Sequence, residues 1–233
     1  MPADYPSPLT QASIQTPKGE QTVHLPSNEL FRLEHIFKHH EYGVPNHYLP
    51  SEPIVVVDIG ANVGLFALYM KNLRPDSVIH FFEPAPLNFE LLRRNVGGYK
   101  DVHLHPVGLS DSTQAAVMML HSANTGENSI KCSLSDQCGQ IEVPIVAARQ
   151  AFEQLGLTYI DILKIDTEGC EVEILRSLQE RLPYVGLVLL EYHSDEDRRA
   201  IDALLVGFNL FCASIATTEG GILKYINRAL LKG

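Results

Sequence analysis

Apolar positions recur along the chain in two alternating rhythms. Short runs rich in β-branched and aromatic residues, at 54–59, 77–82, 102–107, 160–166 and 186–192, read as strands buried on both faces. Between them apolar residues fall three and four apart. Leu65, Phe66, Leu68 and Tyr69 mark one helix, and Leu87, Phe89, Leu91 and Leu92 a second over 86–95. Further helices are expected over about 148–155, 170–180 and 195–206, and two closing strands near 209–215 and 222–227. Strands alternating with helices in this way predict an α/β fold with a mostly parallel, doubly wound sheet.

The flanking stretches read differently. Residues 1 to about 26 carry Pro2, Pro6, Pro8, Pro17 and Pro26 among Ser, Thr and Gln, the composition of an extended tail or linker with one edge strand near 21–25. Ser27 or Asn28 is placed to cap a helix running to about His40, with Leu30, Leu33, Ile36 and Phe37 as its apolar stripe. His35 and His39 share a face of that helix, as a metal pair or as a solvated edge. The loop 41–53 feeds the first buried strand and is positioned to act as a lid. Two strands, 115–120 and 141–146, flank a polar segment, 121–140, expected to be an inserted hairpin or loop. The chain thus divides into a tail, helix and lid at 1–50 and an α/β domain at 51–233.

Charge and composition narrow the function. A formal net charge of −10 opposes non-specific binding to nucleic acid, because an acidic surface repels phosphates. No apolar run reaches membrane-spanning length, and residues 1–6 lack the basic and apolar regions of a signal peptide. The four cysteines, Cys132, Cys138, Cys170 and Cys212, form no C-x-x-C pair, which favours reduced thiols over a zinc ribbon or redox motif. The expectation is a soluble cytoplasmic protein with neither a nucleic-acid nor a membrane partner. The pattern is silent on oligomeric state.

The chemistry concentrates at strand ends. The first buried run ends in Asp58-Ile59-Gly60-Ala61-Asn62-Val63-Gly64. Gly60 permits positive φ or close backbone approach, Gly64 lets the next helix start near the strand, and the turn is expected to leave backbone N–H groups free for a ligand. In a doubly wound sheet the carboxyl ends of successive strands converge on one crevice, which here gathers Asp58, Glu83, Asp111, Asp166, Glu168, Glu191 and His193. Carboxylates repel a pyrophosphate, and a dinucleotide would want G-x-G-x-x-G. S-adenosylmethionine, a sulfonium with an amine and a ribose but no phosphate, suits an acid-rimmed loop. Glu83, about twenty residues past the loop, is placed to accept ribose hydroxyls.

Three blocks carry a family resemblance: Val56-Val57-Asp58-Ile59-Gly60-Ala61-Asn62-Val63-Gly64, Phe82-Glu83-Pro84, and Leu163-Lys164-Ile165-Asp166-Thr167-Glu168-Gly169-Cys170-Glu171. Together they resemble the FkbM family of methyltransferases from roughly Glu41 to His193. The last block, of the form K-I-D-x-E-G-x-E, is the most specific, with Cys170 where a smaller residue is expected. The resemblance implies a Rossmann-like, seven-stranded sheet with an antiparallel strand among the last. It also implies methyl transfer from S-adenosylmethionine, releasing S-adenosylhomocysteine, to a hydroxyl of a small molecule (natural product or saccharide). On that pattern Asp58, Gly60, Ala61, Asn62, Gly64 and Asp166 would lie along the methionine part and Glu83 would hold the ribose. Ser110 or Asp111 would reach the adenine amino group.

Methyl transfer is an in-line displacement, and an alcohol acceptor benefits from a base. His193 is the first candidate, set against a loop histidine contacting solvent or Glu191. Asp166 and Glu168 would orient the acceptor or assist the base, although Glu168 could instead cap the following helix. Lys164 reads as an ion-pair partner for a buried acid. Asp166, Glu191 and His193 could alternatively hold a divalent metal, a reading set behind the metal-free one for want of a metal-binding spacing. Cys132 and Cys138 with His121 make a still weaker zinc site. The functional alternatives are a non-catalytic adenosyl-ligand-binding or scaffold domain of a larger assembly, and an NAD-dependent oxidoreductase. Acceptor specificity is expected in 30–47 and in the 121–140 insert.

Overall fold

The structure, a computed structural model, describes residues 8–17, 19–51, 53–121, 125–131, 137–217 and 220–231. Strands β1 (Leu9–Thr16) and β2 (Gly19–Pro26) form an antiparallel hairpin in place of the expected extended tail. The turn needs Gly19 at φ 109°. Alternation decides which residues go inward: Val23 and Leu25 are fully buried, and Ile14 nearly so, in the same core as the sheet that follows. Each such side chain stabilises the fold by about 1.5–3 kcal/mol. Asn95 completes the seam, because its side-chain amide accepts from His24 N–H at 2.8 Å and donates to His24 O at 2.8 Å, as a neighbouring strand would. Ile14, Val23 and Leu25 of the hairpin, with Ile36 and Tyr42, all belong to that core.

The predicted helix after Ser27 is a composite. A 3₁₀ turn, Ser27–Glu29, leads into α1 (Leu30–Leu33) and then a π turn, Glu34–Lys38, with no side-chain cap at its start. Of the expected stripe only Ile36 is buried, while Leu30 is exposed. His35 and His39 lie at the solvent edge, 3.6 Å from Glu41 and Glu34 respectively, the bland reading of that pair.

The remaining elements are β3 (Val55–Ile59), α2 (Leu65–Leu73), β4 (Val78–Phe82), α3 (Pro86–Val96), β5 (Val102–His105), β6 (Gly108–Ser110), β7 (Gln114–His121), β8 (Gln137–Ala147), α4 (Ala148–Leu155), β9 (Ile160–Ile165), α5 (Glu171–Ser177), β10 (Val185–Tyr192), α6 (Asp195–Leu204), β11 (Phe208–Thr217) and β12 (Gly220–Asn227). Seven strands form one Rossmann-like sheet in the order β11-β12-β10-β9-β3-β4-β5, in which β12 alone runs against its neighbours. The order reverses between β3 and β9, the switch point at which such sheets open a crevice. Central strands β9 and β10 are buried along nearly their whole length, as their mostly apolar sequences favour.

The insert is a hairpin of β7 and β8, whose strands extend beyond the expected 115–120 and 141–146. Gly108–Ser110, short enough to read as a turn, form strand β6, which pairs with β8 to make a three-stranded sheet. Cys132 and the side chain of Cys138 lie outside the described residues, and with them the weak zinc reading. No helix among the described residues is long and apolar enough to cross a membrane.

Candidate active site

The carboxyl ends of β3, β4 and β9 open into a cleft. Its base is the β3–α2 loop. Gly60 has φ 79°, and a Cβ there would lie 1.7 Å from the carbonyl oxygen of Asp166, so only glycine fits where the two chain segments cross. Four of the loop's N–H groups are engaged within the protein, contrary to expectation, Gly64 donating to Ala61 O at 2.9 Å. Gly60 and Ala61 both donate to Phe82 O, at 2.9 and 3.1 Å, and Asn62 donates to Glu83 Oε2 at 2.8 Å.

Glu83 faces the cleft from the end of β4. Its carboxylate accepts from Asn62 N–H and, through Oε1, from Ala85 N–H at 2.9 Å. Each oxygen keeps a second lone pair for a ligand hydroxyl. Burial pushes Glu83 up to about 7, against the pull of those backbone bonds. Asn62, at φ 48°, spans two acids: its backbone donates to Glu83 and its side chain donates to fully buried Glu29 at 3.1 Å.

Asp58 does not face the cleft. In the sheet it is the cross-strand neighbour of Lys164, and its fully buried carboxylate lies 3.1 Å from Lys164 Nζ. Burial still raises Asp58 to about 6, ahead of the opposing attraction of Lys164. Lys164 reaches on to Asp166 at 3.5 Å and donates to Gly60 O at 2.8 Å, so the expected ion-pair role is realised as a strut under the loop. Gly64 is also withdrawn from the cleft: at φ 87° it starts α2 against Leu92. Ser110 is buried in β6, and Asp111 is exposed beyond it. The cleft wall there is formed by Gly108 and Leu109, so neither predicted adenine contact lines it.

The far end is built by the β9–α5 turn. Asp166 accepts from Tyr42 OH at 3.1 Å; burial would raise its pKa, but Lys164, Arg32 and His193 hold it below the usual carboxylate range. Glu168 lines the cleft at φ 57° and is pushed up to about 10 by burial, then by the charges of Asp166 and Glu191. No side chain caps α5; Glu171 instead holds the turn, accepting from Thr167 N–H and Oγ1 and from Gly169 N–H. His193 stands behind this turn, with Nδ1 3.4 Å from Glu168 Oε2 and Nε2 3.7 Å from Glu171 Oε1. Glu191 is raised to about 8 by burial and by Asp166. Ligand atoms of Asp166, Glu191 and His193 all lie within 4.8 Å of one another.

Two walls come from the segments expected to carry acceptor specificity. The lid supplies Arg32, Ile36, Glu41 and Tyr42, and the insert supplies Gly126, Asn128 and Ile130. The insert is tied to the β9–α5 turn by Ser129 Oγ, which donates to Glu168 O at 2.6 Å. Tyr42 and Arg32 reach the site over long sequence separations, so no local pattern announces them.

The Methyltransferase FkbM domain matches residues 58–226. Methyltransferase sdnD of Sordaria araneosa is 31% identical over 75% of this chain and 79% of its own. The 31-O-demethyl-FK506 methyltransferase FkbM of Streptomyces tacrolimicus is 27% identical over 78% of this chain and 81% of its own. Among solved structures, Aeropyrum pernix fibrillarin with bound S-adenosyl-L-methionine superposes with a TM-score of 0.52 at 12% identity, over 93% of this chain and 82% of that one, a likeness of fold.

Proposed function

The chain belongs to the FkbM methyltransferase family and is an S-adenosylmethionine-dependent methyltransferase, and from that premise we propose that it methylates a hydroxyl group of a small molecule, a natural product or a saccharide, with His193 as the base. The cofactor fits the donor set, since the cleft offers carboxylates around a glycine that tolerates no side chain. Gly60, Ala61, Asn62 and Asp166 would flank its amino-acid part, and Glu83 would hold the ribose. When bound, it supplies a methyl group on a positively charged sulfur and leaves as S-adenosylhomocysteine.

The observation that carries the reading is the contact of Glu168 with His193 at 3.4 Å. Glu168, with its pKa near 10, carries a proton at neutral pH and can donate it to Nδ1. The imidazole N–H then sits on Nε2, toward Glu171. As the acceptor oxygen attacks, its proton passes to one Glu168 oxygen while Glu168 gives its own to His193. The imidazolium formed is held among Glu171, Asp166 and Glu191. Lys164 and Tyr42 fix Asp166 at the cleft wall, and the lid and insert exclude water.

A deuteromethyl-labelled cofactor, offered with panels of hydroxylated metabolites, sugars and amines, tests this reading. The expected product carries the label on oxygen. Label found only on nitrogen or carbon would refute the acceptor class. Glu168→Gln and His193→Ala should each slow turnover by roughly 10²–10⁴-fold while leaving S-adenosylhomocysteine affinity intact. A second reading follows from the proximity of Asp166, Glu191 and His193: a divalent ion there would bind the acceptor oxygen and lower its pKa, replacing the proton relay. The relay is preferred because Asp166 is already engaged by Tyr42 and Lys164.

A further inference from the structure

The cofactor brings three charges into the cleft: a sulfonium, an ammonium and a carboxylate. Acids around the loop suit the first two and repel the third. Among the described residues two cationic side chains line the cleft, Lys164 and Arg32. Lys164 is committed to Asp58, Asp166 and Gly60 O and is 3% exposed. Arg32 comes from α1, outside the residues matched to the family, and its side chain keeps 23% of its surface open. Its guanidinium lies 3.7 Å from Glu29 Oε2, the oxygen that also accepts from Asn62 Nδ2. One side chain therefore separates it from the cofactor loop.

Two further facts place it. Asp166 and Glu168 both act on its charge, which sets it toward the β9–α5 end of the cleft. Gly126 of the insert lies flat against the guanidinium, where a Cβ would come within 2.2 Å of Nη2. Lid and insert thus meet at Arg32, which brings a second positive charge to this end of the cleft.

We propose that Arg32 is the carboxylate-binding residue of the cleft, and that its partner is the carboxylate on the amino-acid tail of S-adenosylmethionine. The proposal rests on the family's cofactor and not on the identity of the acceptor. A carboxylate on the acceptor is the other source of the same chemistry.

Titration calorimetry with S-adenosylhomocysteine and with its decarboxylated analogue separates these cases without any turnover. Arg32→Ala should weaken S-adenosylhomocysteine by roughly 10–100-fold, the range of a charge-assisted hydrogen bond, and leave the analogue within about twofold. Gly126→Ala pushes the guanidinium aside without removing it. It should produce the same selective loss, smaller in size, and serves if Arg32→Ala does not fold. Arg32→Lys should recover part of the affinity. Equal weakening of both ligands would make Arg32 a structural residue and overturn the proposal. Unchanged S-adenosylhomocysteine affinity would also overturn it, and a loss confined to acceptor binding would assign the arginine to the acceptor. Failure of the wild-type protein to bind either ligand would overturn the cofactor assignment itself.

Discussion

Gly60→Ala is the sharpest test of how the cleft is built. The new Cβ would sit 1.7 Å from the Asp166 carbonyl oxygen, a backbone atom in a central loop, so one segment must move by about 2 Å to restore ordinary contact. Overpacking of this kind costs about 1–3 kcal/mol, and the left-handed φ of 79° adds about 1–2 kcal/mol for any residue with a Cβ. Gly156→Ala is the matched control: Gly156 ends α4 at φ 63° with nothing within 4 Å of where a methyl would stand, so it carries the conformational cost alone. Gly60→Ala should therefore be less stable than Gly156→Ala by about 1–3 kcal/mol, on the order of 2–12 °C in Tm for a chain of this size. Urea unfolding and thermal scans of the two variants side by side measure the difference, and calorimetry with S-adenosylhomocysteine should show binding lost in the first and kept in the second. Equal stability of the two would refute the crossing of Gly60 with Asp166.

Other consequences are more local. Lys164→Met leaves Asp58 buried beside no cation and should destabilise the protein by about 3–5 kcal/mol, whereas adding Asp58→Asn should restore much of the loss; denaturant midpoints of the single and double variants decide it. Glu83 is raised by burial to about 7, so the folded state holds a proton that the unfolded chain releases near pH 4.5; its contribution to stability is complete below that pH and fades as pH rises to 7. Urea midpoints between pH 4.5 and 7 should fall less steeply in Glu83→Gln than in the wild type. Tyr42→Phe removes the hydroxyl that donates to Asp166 and should cost about 1 kcal/mol in stability, with no rearrangement of the ring against Phe66. If the proton relay operates, a chelator should leave turnover unchanged and manganese should show no bound signal by electron paramagnetic resonance; inhibition by the chelator, relieved by manganese, would favour the ion at Asp166, Glu191 and His193.

What the sequence discloses follows what is local. β4 with Glu83, the bounds of α4 and the ion-pair role of Lys164 carry short-range signals and take the expected form. The β3–α2 loop is found at the expected place but turns Asp58 and Gly64 away from the cleft. The β1–β2 hairpin is hidden by prolines and by strands rich in Gln and Thr, although alternate residues go inward. β6 is three residues long and pairs with β8 some 37 positions away, counting from Gly108 to Ile145, so it reads as a turn until its partner is known. Asp58 eludes a local reading for a related reason: only the register of β3 on β9 shows that it lies beside Lys164. Arg32, Tyr42 and Glu29 arrive from a composite helix and its loop, where charge and aromatic content carry no directional information.

The hairpin that shares the sheet's core has a practical corollary for anyone moving this catalytic unit between proteins. The match to the family's domain begins at Asp58, inside β3, and a graft cut there would sever that strand. A cut at the loop before β3 would spare the strand yet strip the covering from α2 and α3, forfeiting the burial of Val23 and Leu25. A transplant that folds and binds its methyl donor should begin no later than Pro8, whose carbonyl ties the hairpin to Ser27 at 2.9 Å.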